Sequence, residues 1–408
     1  MKDPKKSLIL IFAVGLACGF STGCGGGSGS SSSTPANTIT STGANVASIS
    51  VNGGPAGNYP DASFTTVTVC LPGTSTCQTI DGILVDTGSS GLRILSSVLT
   101  LSLPQQKASD GNPVVECLPF VSGYTWGPVQ TADVEIASEK ASSLPVQVLS
   151  DTEFIAPTSC TSTGTSSDTL ESLGANGILG VGLFAQDCGS YCEQVQTAAG
   201  DFNPYYECAS ATATCQAIGE SLTQQVQNPV VLFSTDNNGV IVEFPAVSGG
   251  EAPSVSGSLV FGIATQSNNA LAGTVYAADS ATGNFSTTYN GTAYTDASFI
   301  DSGSNGYFFP STITQCGSTS NAPGFYCPST IQNLSATNGG TNGTSGTVDF
   351  RIANALTLSG SDDFALSDLG GTFSDGFDWG LPFFFGRNVY IAIQGQSAPG
   401  GTAPYWAY

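Results

Sequence analysis

Apolar residues arrive along this chain in short runs, separated by clusters of Gly, Pro, Asn and Ser. The clearest runs are "FTTVTVC", "GILVDTG", "ADVEIAS", "LPVQVLS", "GVIVEF", "GSLVFGI", "ASFIDSG", "VDFRIA" and "NVYIAI". Several alternate apolar with polar positions, the two-residue period of a half-buried antiparallel strand. Helical periodicity is scarce, and "SLTQQVQ" from residue 221 is the one candidate. The polar stretches "PTSCTSTGTSSDT" and "SATNGGTNGTSGT" read as exposed loops. "PAVSGGEAPSVSGS" (245–258) reads as a link between two units. A chain of 408 residues exceeds one small core, so two β-rich units are expected.

The first residues follow another pattern. "MKDPKKSLILIFAVGLACGFSTGC" has a basic start and an apolar run from Leu8 to Phe20, the length of a signal peptide rather than of a membrane span. Small residues before Cys24 and a Gly/Ser tract after it resemble the lipobox of bacterial lipoproteins, with Ser21 where that motif usually has Leu. The expected division is a signal peptide over 1–24 ending at a lipidated Cys24, a flexible tether over 25–44, a first β lobe over 45–250 and a second over 251–408. The alternative is an ordinary cleaved signal. An exported protein of the cell envelope follows, touching membrane only through its N-terminal anchor.

The ten cysteines beyond Cys24 form an even set in an exported chain, which predicts five disulfides. Cys70 with Cys77, and Cys316 with Cys327, enclose turn-rich loops and are expected local pairs. Cys117 with Cys160 follows by elimination. Cys188, Cys192, Cys208 and Cys215 allow three pairings. No CxxC pair supports a metal site, and neither metal nor cofactor is expected.

Charge narrows the chemistry. The chain has 30 Asp and Glu against 8 Lys and Arg, a net charge of −22, and no His. Three cations fall in the first six residues, which leaves Arg93, Lys107, Lys140, Arg351 and Arg387. Such a surface repels phosphate backbones, so nucleic acid is excluded as a partner. With few cations to repel one another in acid, the chain is expected to tolerate low pH. Without His there is no Ser-His-Asp triad, no Cys-His pair and no His-bound zinc. Acid–base work falls to carboxylates, Tyr, Cys or Lys.

One motif then stands out because it occurs twice. "ILVDTGSSGLRIL" places Asp86 at the end of an apolar strand, and "SFIDSGSNGYFF" does the same with Asp301, 215 residues later. Each copy reads apolar, apolar, Asp, Thr/Ser, Gly, Ser. Each is followed at a distance by two apolar residues and a glycine: Ile178, Leu179 and Gly180 in "NGILGVG", and Phe384, Phe385 and Gly386 in "FFFGRNVYIAI".

With these motifs the chain resembles the pepsin-like aspartic peptidases over roughly residues 45–395, and also a bacterial family of exported proteins of unknown function with the same DTGSSGLR signature. The resemblance implies an all-β, bilobal pepsin-like (acid protease) β-barrel fold with short helices. It implies that Asp86 and Asp301 meet across a cleft and share a proton, with a water held between them. Gly88 and Gly303 would allow the tight turns. Thr87 and Ser302 would bond across the lobe interface, and Ser89 and Ser304 would donate to the outer carboxylate oxygens. The two apolar-apolar-Gly segments would cross beneath the two loops. The function implied is that of an exported, monomeric endopeptidase acting on peptide or protein substrates. An inactive relic that binds peptides or a protein partner is the other reading.

Two departures from the family pattern matter. The flap that usually bears Tyr-Gly aligns with Trp126-Gly127, Tyr124 lying two residues earlier, and these aromatics either close the cleft or only pack. Arg93 replaces the Trp common after the first loop, and either pairs with an acid or snorkels at the surface.

Overall fold

The computed structural model describes residues 37–40, 42–150, 152–198 and 201–408. The signal peptide, Cys24 and most of the tether lie outside the described residues. The last part of the tether packs onto the body. Asn37 Nδ2 donates to Phe244 O at 3.0 Å, and the Thr40 N–H donates to Glu243 Oε2 at 2.6 Å.

The fold is all-β, with only four-residue α-helices and short 3-10 turns. A 15-stranded sheet runs from the first half of the chain into the second, and a 7-stranded sheet lies in the second half. Within the larger sheet the two halves are bridged by Val46–Gly53. This strand pairs antiparallel with Tyr59–Cys70 on one side and with Val255–Phe261 on the other, Val46 opposite Val260 and Val51 opposite Val255. Its alternation decides its facing: Ala47, Ile49 and Val51 are buried, while Ser48 and Asn52 are exposed. Gly239–Phe244, Arg387–Ala392 and Tyr405–Ala407 extend the same sheet. The main core follows this bridge from one half to the other. In the second half it is dominated by rings. Tyr289, Tyr307, Phe309, Phe350, Phe377 and Trp379 pack with centroids 5.2–6.5 Å apart, mostly edge to face.

Three local expectations change. "SLTQQVQ" forms a turn closed by Gln224 and Gln225 N–H groups on Ser221 O rather than a helix, because it is too short to hold one alone. "SATNGGTNGTSGT" is no loop: it is the tip of a hairpin between Gln332–Gly339 and Ser345–Ile352. Its inward positions, Ala336 and Asn338, are small or polar, which hid the strand. The link 245–258 is partly strand, Glu251–Ala252 pairing with Ala365–Leu366.

All ten cysteines beyond Cys24 are paired. Cys70–Cys77, Cys316–Cys327 and Cys117–Cys160 match the expected pairs. The open group resolves into neighbours, Cys188–Cys192 and Cys208–Cys215. Five disulfides suit an oxidising, extracellular or periplasmic setting. No described helix is long and apolar enough to cross a membrane.

Candidate active site

Each Asp loop is built by one chain crossing. Cys77–Asp86 runs parallel to Gly177–Val181, Val85 opposite Leu179 and Asp86 opposite Gly180. After the loop, Ser90–Leu95 returns antiparallel along the other side of that same strand. The loop therefore arches over Gly180, and the fit is close. A Cβ at Gly180 would lie 2.7 Å from the Ser90 backbone. Ile178, Leu179 and Gly180 thus stand where the motif predicts.

The second loop repeats the plan, with one correction to the residues beneath it. Thr292–Ile300 runs parallel to Phe377–Trp379, with Phe299 opposite Asp378 and Ile300 opposite Trp379. Tyr307–Phe309 returns antiparallel, and Asp301 N–H donates to Trp379 O at 3.0 Å. A Cβ at Gly380 would lie 2.1 Å from Gly306 O. The crossing segment is therefore Asp378-Trp379-Gly380, in register with Ile178-Leu179-Gly180. Phe384, Phe385 and Gly386 come later. Phe384 ends a buried 3-10 turn, Phe385 packs on Phe244, and Gly386 turns the chain at φ 79°. The acid at 378 disguised the true segment as something other than an apolar pair.

The two loops are tied to each other by four bonds with two-fold character. The Thr87 hydroxyl donates to Ile300 O at 3.0 Å and accepts from Ser302 N–H at 2.9 Å. The Ser302 hydroxyl donates to Val85 O at 2.7 Å and accepts from Thr87 N–H at 3.1 Å. All are buried, so each saturates groups that would otherwise be stranded.

This lock sets the two carboxyls face to face. Gly88 N–H donates to Asp86 Oδ1 and Gly303 N–H to Asp301 Oδ1, each at 2.8 Å. The Ser89 hydroxyl donates to Asp86 Oδ2, and the Ser304 hydroxyl to Asp301 Oδ2 at 2.8 Å. A Cβ at Gly88 would lie 2.7 Å from Asp301 Cγ, and one at Gly303 2.8 Å from Asp86 Oδ1. Each loop glycine thus abuts the opposite carboxylate, and only a residue without a side chain fits there. Burial first, then the neighbouring Asp86 and Asp378, push the Asp301 carboxyl well above the usual range.

The surroundings differ from the expected flap. Along the hairpin Val114–Phe120 and Gly123–Ile136, side chains alternate between two faces. Tyr124 and Trp126 lie on the face toward the Cys117–Cys160 and Cys208–Cys215 bridges. There Trp126 Nε1 donates to Phe154 O at 2.8 Å, and the ring packs edge-on to Tyr206. Gly127 presses on Val148 O, where a Cβ would lie 1.9 Å away. Tyr124 and Trp126 thus pack in a satellite core, and Gly127 lies against the backbone of Val148 and Ser150. Phe120, on the other face, joins Tyr59, Phe64, Leu84, Leu173 and Ile178 in an apolar cluster beside the first loop. The cluster is shaped by a short helix, Leu170–Leu173, which a Thr169–Ser172 capping box opens and Gly174 closes at φ 72°. A Cβ at Gly174 would strike the Tyr59 ring at 2.5 Å.

Tyr59 and Arg93 complete the neighbourhood. The Tyr59 hydroxyl is buried without a hydrogen-bond partner, and burial together with the nearby Asp301 and Asp86 holds its proton on far above the usual phenol range. Neither Asp86 nor Asp301 is exposed. Arg93 is fully buried, not snorkelling. It bonds Glu116 and Asp187 at 2.9 Å each, and Asp187 accepts from the Tyr205 hydroxyl at 2.8 Å. This group ties the returning strand to the Phe120 hairpin. Sequence reading did not select Tyr59, Phe120 or Asp378. Tyr59 follows a Gly/Asn-rich turn and carries no motif, but Asp378 before Trp-Gly was a detectable signal. Among the described residues no group of three or more Cys, Asp or Glu is arranged to hold a metal ion.

Two lobes, two Asp loops over crossing strands and one interlobe lock define a pepsin-like fold. A solved structure with this architecture is an aspartic proteinase from Irpex lacteus, 17% identical with a TM-score of 0.53, the match covering 89% of this chain and 96% of that one. Residues 41–408 match the family described as "Protein of unknown function (DUF3443)", and the chain belongs to that family. No curated protein matches the chain.

Proposed function

We propose that this chain is an exported endopeptidase of the aspartic type. The observation that carries the reading is the pairing of the Asp86 and Asp301 carboxyls across locked, glycine-lined loops. Two carboxyls this close and this buried cannot both ionise, so they hold one proton between them. Asp301, whose proton affinity burial and the neighbouring acids raise, hydrogen-bonds the carbonyl oxygen of the scissile peptide. Asp86 accepts a proton from a water lying between the carboxyls. That water's oxygen attacks the carbonyl carbon while Asp301 gives its proton to the carbonyl oxygen, forming a tetrahedral diol. Collapse breaks the C–N bond as the leaving nitrogen takes the proton from Asp86, and one diol hydroxyl returns its proton to Asp301, so the pair is again singly protonated. No acyl-enzyme forms and no His is needed, as the composition requires.

The apolar cluster beside Asp86 suits extended peptides with apolar side chains next to the cut. Tyr59 must yield for a peptide to reach the pair. An N-terminal lipid anchor at Cys24 would hold the enzyme at the envelope.

A second reading is a peptide-binding protein that no longer cleaves. The complete burial of both carboxyls favours it. Digestion of a peptide library between about pH 3 and pH 7 separates the two. Cleavage that disappears in Asp86→Asn supports the peptidase. Absence of cleavage at every pH, with peptides still bound, supports the binder.

A further inference from the structure

Beneath the second loop lies a group that the first loop lacks. Asp378 occupies the register position of Ile178, opposite Phe299 and Phe308. It is 1% exposed, and neither of its oxygens has a hydrogen-bond partner of normal geometry. The segment is pinned against Ser304. A Cβ at Gly380 would lie 2.6 Å from Ser304 O, and Leu381 N–H donates to that same oxygen at 2.7 Å. Ser304 has a single hydroxyl proton and gives it to Asp301. Asp378 is left in an aromatic wall where the donor nearest it, the Ser304 hydroxyl, already serves Asp301, beside a carboxyl that already shares its proton.

The groups facing this cluster offer no relief. Asp301 and, across the interface, Asp86 come from the loops. Tyr307 comes from the returning strand, and Tyr59 faces the pair from the first half. No lysine or arginine is among the principal influences on Asp301 or Asp378. A buried carboxylate with no cation and only a shared donor is costly, and each further ionisation is opposed by those before it.

We propose that Asp378 is a positioning residue of the carboxyl pair, acting on Asp301 from beside Ser304. It turns the pair into a three-carboxyl cluster that keeps its shared proton toward neutral pH. A two-carboxyl pair would already have lost it. Burial raises the proton affinity of Asp378 as well, with the Ser304 hydroxyl opposing and Asp86 adding to the rise, in keeping with a shared cluster. The consequence for catalysis rests on the peptidase reading, since the protonated member must bond the scissile carbonyl; the titration itself does not.

The test is a carbon-13 NMR titration of the aspartate carboxyls in the wild-type protein, Asp378→Asn and Asp378→Ile, with Asp301→Asn assigning the pair. Asn preserves volume and Ile restores the first lobe's residue, so one variant reports if the other fails to fold. The expected result is a fall of about one pH unit or more in the midpoint at which the pair loses its last proton. A midpoint unmoved in a folded variant overturns the proposal. Peptide hydrolysis is measured in parallel. If the midpoint moves while the wild type cleaves nothing, the peptidase reading falls and the three-carboxyl cluster stands. If the wild type cleaves, the alkaline limb of its kcat/KM profile moves down with the midpoint.

Discussion

The two Asp loops share a backbone plan and differ in what lies beneath and beside them. Under Asp86 the crossing strand offers Ile178, and the returning strand offers Arg93 at the facing position. Under Asp301 the crossing strand offers Asp378, and the returning strand offers Phe308. Polar and apolar have changed places between the lobes. Arg93 is charged but answered, by Glu116 and Asp187. Asp378 is ionisable and unanswered by any cation. The first lobe spends its charge on fixing the hairpin that carries Phe120. The second places an acid against the carboxyl pair. Geometry alone therefore makes the loops equivalent, and side-chain chemistry makes them unequal.

The largest expected effect removes either side of the geometric equivalence. Asp86→Asn and Asp301→Asn should each lower peptide hydrolysis by about 10²–10⁴-fold, read as kcat/KM on a cleaved library peptide. A loss confined to one of them would break the two-fold reading. Next comes a direct exchange, Ile178→Asp, which places a third acid opposite an Arg93 already held by Glu116 and Asp187, within an apolar cluster. It should destabilise by about 4 kcal/mol or more at neutral pH and less in acid, measured by denaturant unfolding at two pH values. If the first lobe accepts it freely, the lobes are chemically interchangeable after all. Arg93→Ala strands Glu116 and Asp187 in the interior and should cost about 3–5 kcal/mol in the same assay. Smaller and symmetric effects are expected in the lock. Thr87→Val and Ser302→Ala each remove one buried donor and one acceptor, for about 1–3 kcal/mol. Unequal losses would show that one lobe holds the other.

Much of this was readable in the residues. The Asp-Thr/Ser-Gly-Ser repeats carry their own geometry, because a glycine that must abut the opposite carboxylate and a hydroxyl that must cross the interface leave few substitutes. The alternation in "VDFRIA" marked the strand Ser345–Ile352, and turn-rich spacing gave the local disulfides. What stayed hidden depended on contacts between distant segments. Phe384-Phe385-Gly386 satisfied the apolar-apolar-Gly pattern, but pairing with Thr292–Ile300 selected Asp378-Trp379-Gly380. Trp126 sat at the right spacing for a flap, but strand alternation turned it toward the disulfide-linked cluster and left Phe120 beside Leu84 and Ile178. Arg93 looked exposed because its two acids lie 23 and 94 residues away.

The contrast between an answered and an unanswered acid extends to the stability of the whole chain. Asp61, Asp187, Asp301 and Asp378 are all pushed upward, chiefly by burial. Burial lifts Glu139 and Glu220 to about 7, with Asp236 adding to the shift at Glu139. An acid whose folded pKa is raised binds its proton better when folded. Its stabilising contribution is complete below the unfolded value and is lost as pH climbs through the folded one. Asp133 opposes the trend. Burial acts upward on it, but N–H groups of Ser143 and Gly73 and the Lys140 ammonium together bring it down, so it stabilises above its unfolded value and loses that support in acid. The raised group is larger, so Tm should fall by several degrees between about pH 4 and pH 7, consistent with the acid tolerance expected from the scarcity of cations. Glu220→Gln isolates one member. Its carboxyl is shifted by burial alone, and Gln keeps its size. The variant should match the wild type near pH 4 and exceed it by about 1 kcal/mol above pH 7. Thermal unfolding across that range checks it, and a variant equally displaced at both ends would mean that Glu220 contributes packing and no proton.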